Sequence, residues 1–332
     1  MPNSFTAFFS NFDAFLFCVL CFFTNLFEHK MEFASIFSIK YITKEFFMET
    51  NKTVAFMYDF DETLSKGYMQ DYSLIPLLGE QKDEFWTKVT AVGKNENMDG
   101  VLAYLYVIMQ KANQKNIKID SQTLMEYGKT IDFFDGVQTW FERINNYGKS
   151  LGLEIEHYII SSGMTDIIKG SSIAKYFKKI FACSYCYDKD GKPYWPKQAV
   201  NYTNKTQYIY RIRKNQLDDL HNSSGVNDYM DEQKKLPYRH MIYLGDGQTD
   251  IPCMKLMKSK GGFSVCVYNP QSARAKSVAE KIYSDGRVNF FAPADYSEQS
   301  QLDTMLKSLL NVIANQVFIE KQMNCVVKDE ND

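Results

Sequence analysis

Two short apolar runs, each ending in paired carboxylates, constrain this chain more than any other part of it. The first spans Val54 to Leu64 and reads Val-Ala-Phe-Met-Tyr-Asp-Phe-Asp-Glu-Thr-Leu. The second spans Ile242 to Asp250 and reads Ile-Tyr-Leu-Gly-Asp-Gly-Gln-Thr-Asp. An apolar run of this length, rich in β-branched and aromatic residues and closed by acids or glycines, is the pattern of a buried strand that stops at a sheet edge. At such an edge Asp59 can face a metal and a phosphorus atom, while Asp61, two residues on, stays free to move a proton. In the second run, close backbone approach at Gly245 and Gly247 would let Asp246 reach a metal that Asp59 also touches. Asp250, one helical turn further, could bind metal-held water or orient a lysine.

Chemistry on a phosphate also requires donors for the phosphoryl oxygens and a fixed positive charge near the same edge. Ile-Ile-Ser-Ser-Gly, residues 159 to 163, ends a strand-like run with a hydroxyl and a glycine. Ser161 and the backbone N–H groups around Gly163 could therefore point at a phosphate beside a helix N-terminus, although such a stretch also serves as a plain turn and cap. Asn-Lys-Thr-Gln, residues 204 to 207, has the spacing of a capping box with Asn204 as N-cap and Gln207 at N3. That spacing puts Lys205 in a first helical turn, where a cation is not wanted for helix stability. Lys205 is accordingly the candidate cation, with Lys197 as its competitor.

The rest of the chain supplies a framework for these residues. Apolar residues recur at spacings of three and four in Gln81–Val92, Met98–Lys111 and Ser121–Ile131, which predicts a helical insertion directly behind the first motif. Further helices are expected from Asp135 through Ile144, over Thr165–Lys179, Lys205–Leu220 and Asp250–Met257, and around Leu302 to Ile313. Strands are expected at Ile155–Ile160, Ile180–Tyr185, His240–Leu244 and Phe263–Tyr268, with a hairpin turn at Asp188–Gly191 and a polar excursion at 215–239. Strands alternating with helices predict an α/β fold, a Rossmann-like parallel sheet with helices on both faces and a small helical cap inserted after the first strand. The expected division is a core of 48–65 and 133–322, a cap of 66–132 and a tail of 323–332.

Residues 1–47 differ in composition from everything after them, holding 13 of the 25 phenylalanines and no glycine. A secretory signal fits poorly, since no Lys or Arg precedes Lys30. A membrane span fits poorly too, because the uninterrupted apolar run Ala14 to Phe23 is far shorter than the roughly 20 residues a span needs. The expectation is that Met48 is the natural start, with an anchoring or interfacial segment as the alternative. A net charge of -2 offers no basic surplus for nucleic acid or an anionic membrane, which leaves a small molecule as the expected partner. Seven scattered cysteines, an odd number, suit reduced thiols in a cytoplasmic setting better than a disulfide framework. A zinc site built from Cys18, Cys21, Cys183 and Cys186 is disfavoured, because the first pair lacks knuckle glycines and strand residues three apart face opposite ways.

Taken together, the Asp59, Ser161, Lys205 and Asp246 segments resemble, in order, the four motifs of the haloacid dehalogenase superfamily, over about residues 52 to 293. The resemblance implies that Asp59 is nucleophile and metal ligand, and that Asp61 is the acid/base and lends its backbone carbonyl to the metal. It further implies that Ser161 and Lys205 hold the phosphoryl oxygens and that Asp246 completes the protein ligands to Mg²⁺, with Thr63, Gly163 and Asp250 in support. Asp61 resembles the phosphatases and phosphomutases of the superfamily, since dehalogenases lack a carboxylate there. The Ser-Ser-Gly-Met and Gly-Asp-Gly-Gln-Thr-Asp stretches look most like the phosphoserine phosphatase branch. Ser162 stands where that branch commonly has Gly, and Gln248-Thr249 replaces its Ala-Asn. The implied activity is Mg²⁺-dependent hydrolysis of a small phosphate monoester through an aspartyl-phosphate, with a phosphotransferase or mutase, or a non-catalytic phosphate binder, as alternatives.

Overall fold

The computed structural model describes residues 52–329 except 219. The segment expected as a leader, with Cys18 and Cys21, lies outside these residues. The first apolar run forms β1 (Thr53–Tyr58), buried at every position but the first. The insertion behind it folds as α1 (Met69–Tyr72), α2 (Leu74–Leu77), α3 (Lys82–Asn95), α4 (Gly100–Gln114) and α5 (Ser121–Gly128). The chain then runs through α6 (Val137–Ser150), β2 (Glu154–Met164), α7 (Thr165–Gly170), β3 (Phe177–Tyr187) and β4 (Pro193–Gln198). It closes with α8 (Lys205–Arg213), α9 (Ser224–Asn227), β5 (Met241–Gly245), α10 (Ile251–Ser259), β6 (Phe263–Tyr268), α11 (Ala273–Ser284), β7 (Phe290–Pro293) and α12 (Gln301–Asp329).

The seven strands form one sheet in the order β4-β3-β2-β1-β5-β6-β7. All neighbours are parallel except the β3–β4 hairpin. Successive strands step one way from β1 to β3 and the other way from β5 to β7. Right-handed crossovers therefore place helices on both faces and leave the strand C-termini around β1 on one edge. That is the expected α/β architecture. Burial on both faces explains why β1 and β5 read as apolar runs. Helix α6 shows the complementary pattern, burying Val137, Trp140, Phe141, Ile144 and Gly148 on one stripe.

The insertion leaves and rejoins the core at hydrogen-bonded neighbours. Lys66 N–H donates to the Asp132 carbonyl at 2.9 Å and Phe134 N–H to the Leu64 carbonyl at 3.0 Å. On its far side α5 meets α7 backbone to backbone, since a Cβ at Gly170 would stand 1.8 Å from the Met125 carbonyl oxygen. This close approach accounts for one departure from expectation. The helix expected over Thr165–Lys179 stops at Gly170, and after a single 3₁₀ turn the chain enters β3 at Phe177. The helix expected over Lys205–Leu220 ends at Arg213, with Asn215 in the left-handed region at φ 51°, a common helix stop. The closing helix runs on to Asp329, through residues expected as a tail. Among the described residues no helix is long and apolar enough to cross a membrane.

Candidate active site

The register of the sheet brings the four sequence segments together. Tyr58 pairs with Ile159 on β2 and with Leu244 on β5, so Asp59, Ser161 and Asp246 stand within two residues of one level. Asp59 is tied to that edge by its N–H, which donates to the Leu244 carbonyl at 2.9 Å. A tight turn follows, in which the Phe60 carbonyl accepts from the N–H groups of Thr63, Leu64 and Ser65. The turn folds Asp61 back toward the insertion, where its Oδ1 accepts from Met69 N–H at 2.8 Å at the start of α1.

Lys205 is fully buried at the centre of the site. Its Nζ lies 2.7 Å from Asp250 Oδ1 and 3.0 Å from Asp59 Oδ2. Lys197, by contrast, is exposed on β4. The capping box expected around Lys205 does not form, since Asn204 makes no side-chain cap bond. Asn204 instead accepts from Asn201 N–H and donates to the Ala199 carbonyl. Asn201 takes over the capping work. Its Oδ1 accepts from Thr203 N–H, Thr203 Oγ1 and Asn204 N–H, and its carbonyl accepts from Lys205 N–H at 3.0 Å. An asparagine organising its own following turn is a local pattern that could have been read at Asn201.

Asp250 is buried and fully engaged. Its Oδ1 accepts from Lys205 Nζ and from Tyr243 Oη at 2.6 Å, and its Oδ2 accepts from the N–H groups of Asp246 and Gly247. Gly245 makes room for it, because a Cβ there would stand 2.5 Å from Asp250 Cγ. At Gly247 a Cβ would meet no protein atom within 4 Å. Tyr243, absent from the sequence-based candidates, holds Asp250 through its hydroxyl; its only signal was a tyrosine inside an apolar strand, where a buried hydroxyl needs a partner. Ser161 is buried, and its Oγ accepts from Gly163 N–H at 2.9 Å. The segment sits on an irregular end of β2, with a register shift between Ile160 and Met164, rather than in a turn beyond the strand. Gly163 is pressed against the cap, where an added Cβ would lie 2.0 Å from Met69 Cε. Thr63 does not join the site through its hydroxyl, which is buried without a partner; its carbonyl accepts from Tyr296 Oη.

The electrostatics are those of one ammonium among too many carboxylates. Asp59, Asp246 and Asp250 each offer an oxygen, all within 4.8 Å of one another. Burial, opposed by Lys205 and reinforced by Asp250, pushes the Asp59 carboxyl up to about 6. Burial, then the Asp59 charge, holds Asp61 well above the usual carboxylate range, while Met69 N–H opposes the shift. Asp246 is raised by burial, then by Asp250 and Asp59. Burial lowers Lys205, but Asp250 and Asp59 more than reverse it, so the ammonium stays charged. The oxygen-only donor set suits a hard divalent cation such as Mg²⁺, and such a cation would relieve the excess of buried negative charge.

No family model matches the chain. A protein of Borreliella burgdorferi described as uncharacterized is 25% identical over 283 residues, covering 76% of this chain and 95% of that one. Among solved structures, a HAD family hydrolase from Salmonella enterica serovar Typhi is 14% identical, covers 73% of this chain and 67% of its own, and gives a TM-score of 0.46. A phosphoserine phosphatase in a phospho-aspartyl intermediate analogue form is 16% identical over 78% and 99% of the two chains, with a TM-score of 0.47. A probable phosphoserine phosphatase from Vibrio cholerae is 13% identical over 80% and 67%, with a TM-score of 0.48. At these scores the likenesses decide nothing about the chemistry, which rests on the residues described above.

Proposed function

We propose that this chain is a phosphatase of the haloacid dehalogenase type that hydrolyses a small phosphate monoester. One observation carries the reading: the buried Lys205 ammonium bridges Asp59 and Asp250 beside Asp61, whose carboxyl accepts from the first amide of α1. A purely structural acidic turn has no use for a fully buried lysine, and a purely binding site has no use for a second carboxyl poised to carry a proton.

Asp59 Oδ1 accepts from Phe60 N–H at 2.8 Å and Oδ2 faces Lys205, which holds the carboxylate in one orientation for attack on phosphorus. The P–O bond to the alcohol breaks as the Asp59 oxygen bonds to phosphorus, and Asp61 gives its proton to the departing alkoxide. Asp61, then ionised, takes a proton from the water that attacks the aspartyl-phosphate, and phosphate leaves with Asp59 restored. The raised affinity of Asp61 for its proton suits the first of these roles. Ser161 and Lys205 are the groups that meet the phosphoryl oxygens. Asp59 and Asp246, together with the Asp61 backbone carbonyl, would hold Mg²⁺, which when bound supplies charge neutralisation to a phosphate dianion approaching a carboxylate.

The test is turnover of 4-nitrophenyl phosphate with Mg²⁺ by the wild type and by Asp59→Asn. The substitution should abolish release of inorganic phosphate and of the phenol. A variant that retains activity would remove Asp59 as nucleophile and sink the reading.

A further inference from the structure

We propose that helix α4 of the cap sets the positions of both phosphate-holding residues, with Asp99 and Tyr104 as positioning residues. This inference rests on the roles given above to Ser161 and Lys205. Helix α4 touches the core loop of each, through a separate hydrogen bond.

The first contact is at Asp99, the N-cap of α4. Its Oδ1 accepts from the N–H groups of Val101 and Leu102, which closes the helix end. Its Oδ2 accepts from Asn201 Nδ2 at 3.0 Å. Asn201 is the residue whose side chain and carbonyl shape the turn that delivers Lys205. A displacement of Asp99 is therefore passed to the Lys205 backbone through one short, part-buried side chain.

The second contact is at Tyr104, whose ring is almost fully buried. Its hydroxyl donates to the Ser162 carbonyl at 2.6 Å, and Cys183 Sγ approaches the same oxygen at 3.3 Å. The Ser162 carbonyl and the Gly163 N–H belong to one planar peptide unit, so turning one turns the other. That N–H donates to Ser161 Oγ. Tyr104 thus holds one end of a rigid plate whose other end orients the Ser161 hydroxyl. Tyr185 on β3 returns the contact by donating to the Leu105 carbonyl at 2.7 Å, which keeps α4 seated at this point.

Two near-isosteric variants separate positioning from stability. Asp99→Asn can keep the helix cap through its carbonyl oxygen while presenting an amide donor to the Asn201 amide donor. Tyr104→Phe keeps the ring and removes only the hydroxyl. Each is expected to weaken inhibition by orthovanadate about tenfold and to raise KM for 4-nitrophenyl phosphate in parallel, with a thermal midpoint within about 3 °C of wild type. Tyr106→Phe, on an exposed position of the same helix, should leave all three unchanged. Wild-type vanadate affinity and KM in both folded variants would overturn the inference while leaving the phosphatase reading intact. A wild-type protein that neither binds vanadate nor hydrolyses the ester would overturn both. If Asp99→Asn does not fold, the outcome for Tyr104→Phe alone decides, since its loss of one hydroxyl leaves the core packing in place.

Discussion

Two ionic clusters in this molecule are built with opposite signs, and they behave differently. In the core, among the described residues, Lys205 is the single cation paired with the Asp59, Asp246 and Asp250 cluster. In the cap, Glu80 is the shared ion-pair partner of Lys88, Lys111 and Lys115. The side chains of Lys88 and Lys115 are more than two-fifths exposed, so their surplus charge is shared with water. Hydrogen bonds from Lys88, then Lys111, bring the Glu80 carboxyl down to about 2. In the core cluster only Asp246 is partly exposed, while Asp59, Asp250 and Lys205 are buried. Burial of its surplus negative charge raises the carboxyls instead, and such a site needs protons, a metal or a substrate to balance it. Mirror-image inventories of charge therefore differ in effect: the surplus is dispersed where most of it meets solvent, and it shifts the protonation of the group where most of it is buried.

The largest break in this contrast should come from Lys205→Met. Removing one partner from a buried ionic group leaves the others uncompensated, at a cost of about 3–5 kcal/mol, and chemical denaturation should show that loss together with loss of phosphatase activity. Ser161→Ala is expected to lower kcat about 10²- to 10³-fold if the hydroxyl is an oxyanion donor, with little change in the denaturation midpoint. A normal kcat would return Ser161 to a capping role. The smallest effect belongs to the cap. Glu80→Gln should lower the thermal midpoint by about 2–4 °C at pH 7 and leave turnover close to wild type. Because the folded Glu80 carboxyl sits below its ordinary value of 4.5, its contribution is complete above that pH. It is lost as pH falls from there toward about 2. The gap between wild type and Glu80→Gln, followed by thermal melts across that range, should close as the pH drops; a gap that stays constant would show that the glutamate acts through packing alone.

How much of this was legible in the sequence follows from which interactions are local. The central strands were readable because burial on both faces leaves an unbroken apolar run, and Asp59 and Asp246 were readable because each interrupts one. Alternation of strands and helices was enough for the α/β class. Element ends were less legible. The stop of α7 at Gly170 depends on the backbone of α5, some forty residues earlier in the chain, and no periodicity within Thr165–Lys179 carries that information. The choice between Lys205 and Lys197 was likewise tertiary, since the two lysines differ only in where β4 and α8 place them. Asn204 had the spacing of a cap and Asn201 had the geometry. Asp99 was silent, Tyr243 showed only as a tyrosine in an apolar strand, and Tyr104 only as one of several cap aromatics that could face a substrate, because each acts through a partner on another element.

The position of β1 in the middle of the sheet has a consequence for how the protein is made. It is the earliest of the seven strands to leave the ribosome, and its hydrogen-bonding neighbours are β2 and β5. One edge of β1 can be covered once β2 has emerged, but the other stays open until Met241–Gly245 is translated. Asp59 and Asp61 are thus displayed well before Lys205 exists and longer still before Asp246 does. During that interval the nascent chain carries an apolar strand with an unpaired edge, the kind of surface that invites wrong partners at slow elongation. Long-range closure of this sort also slows folding after release, because the pairing between β1 and β5 spans most of the described chain.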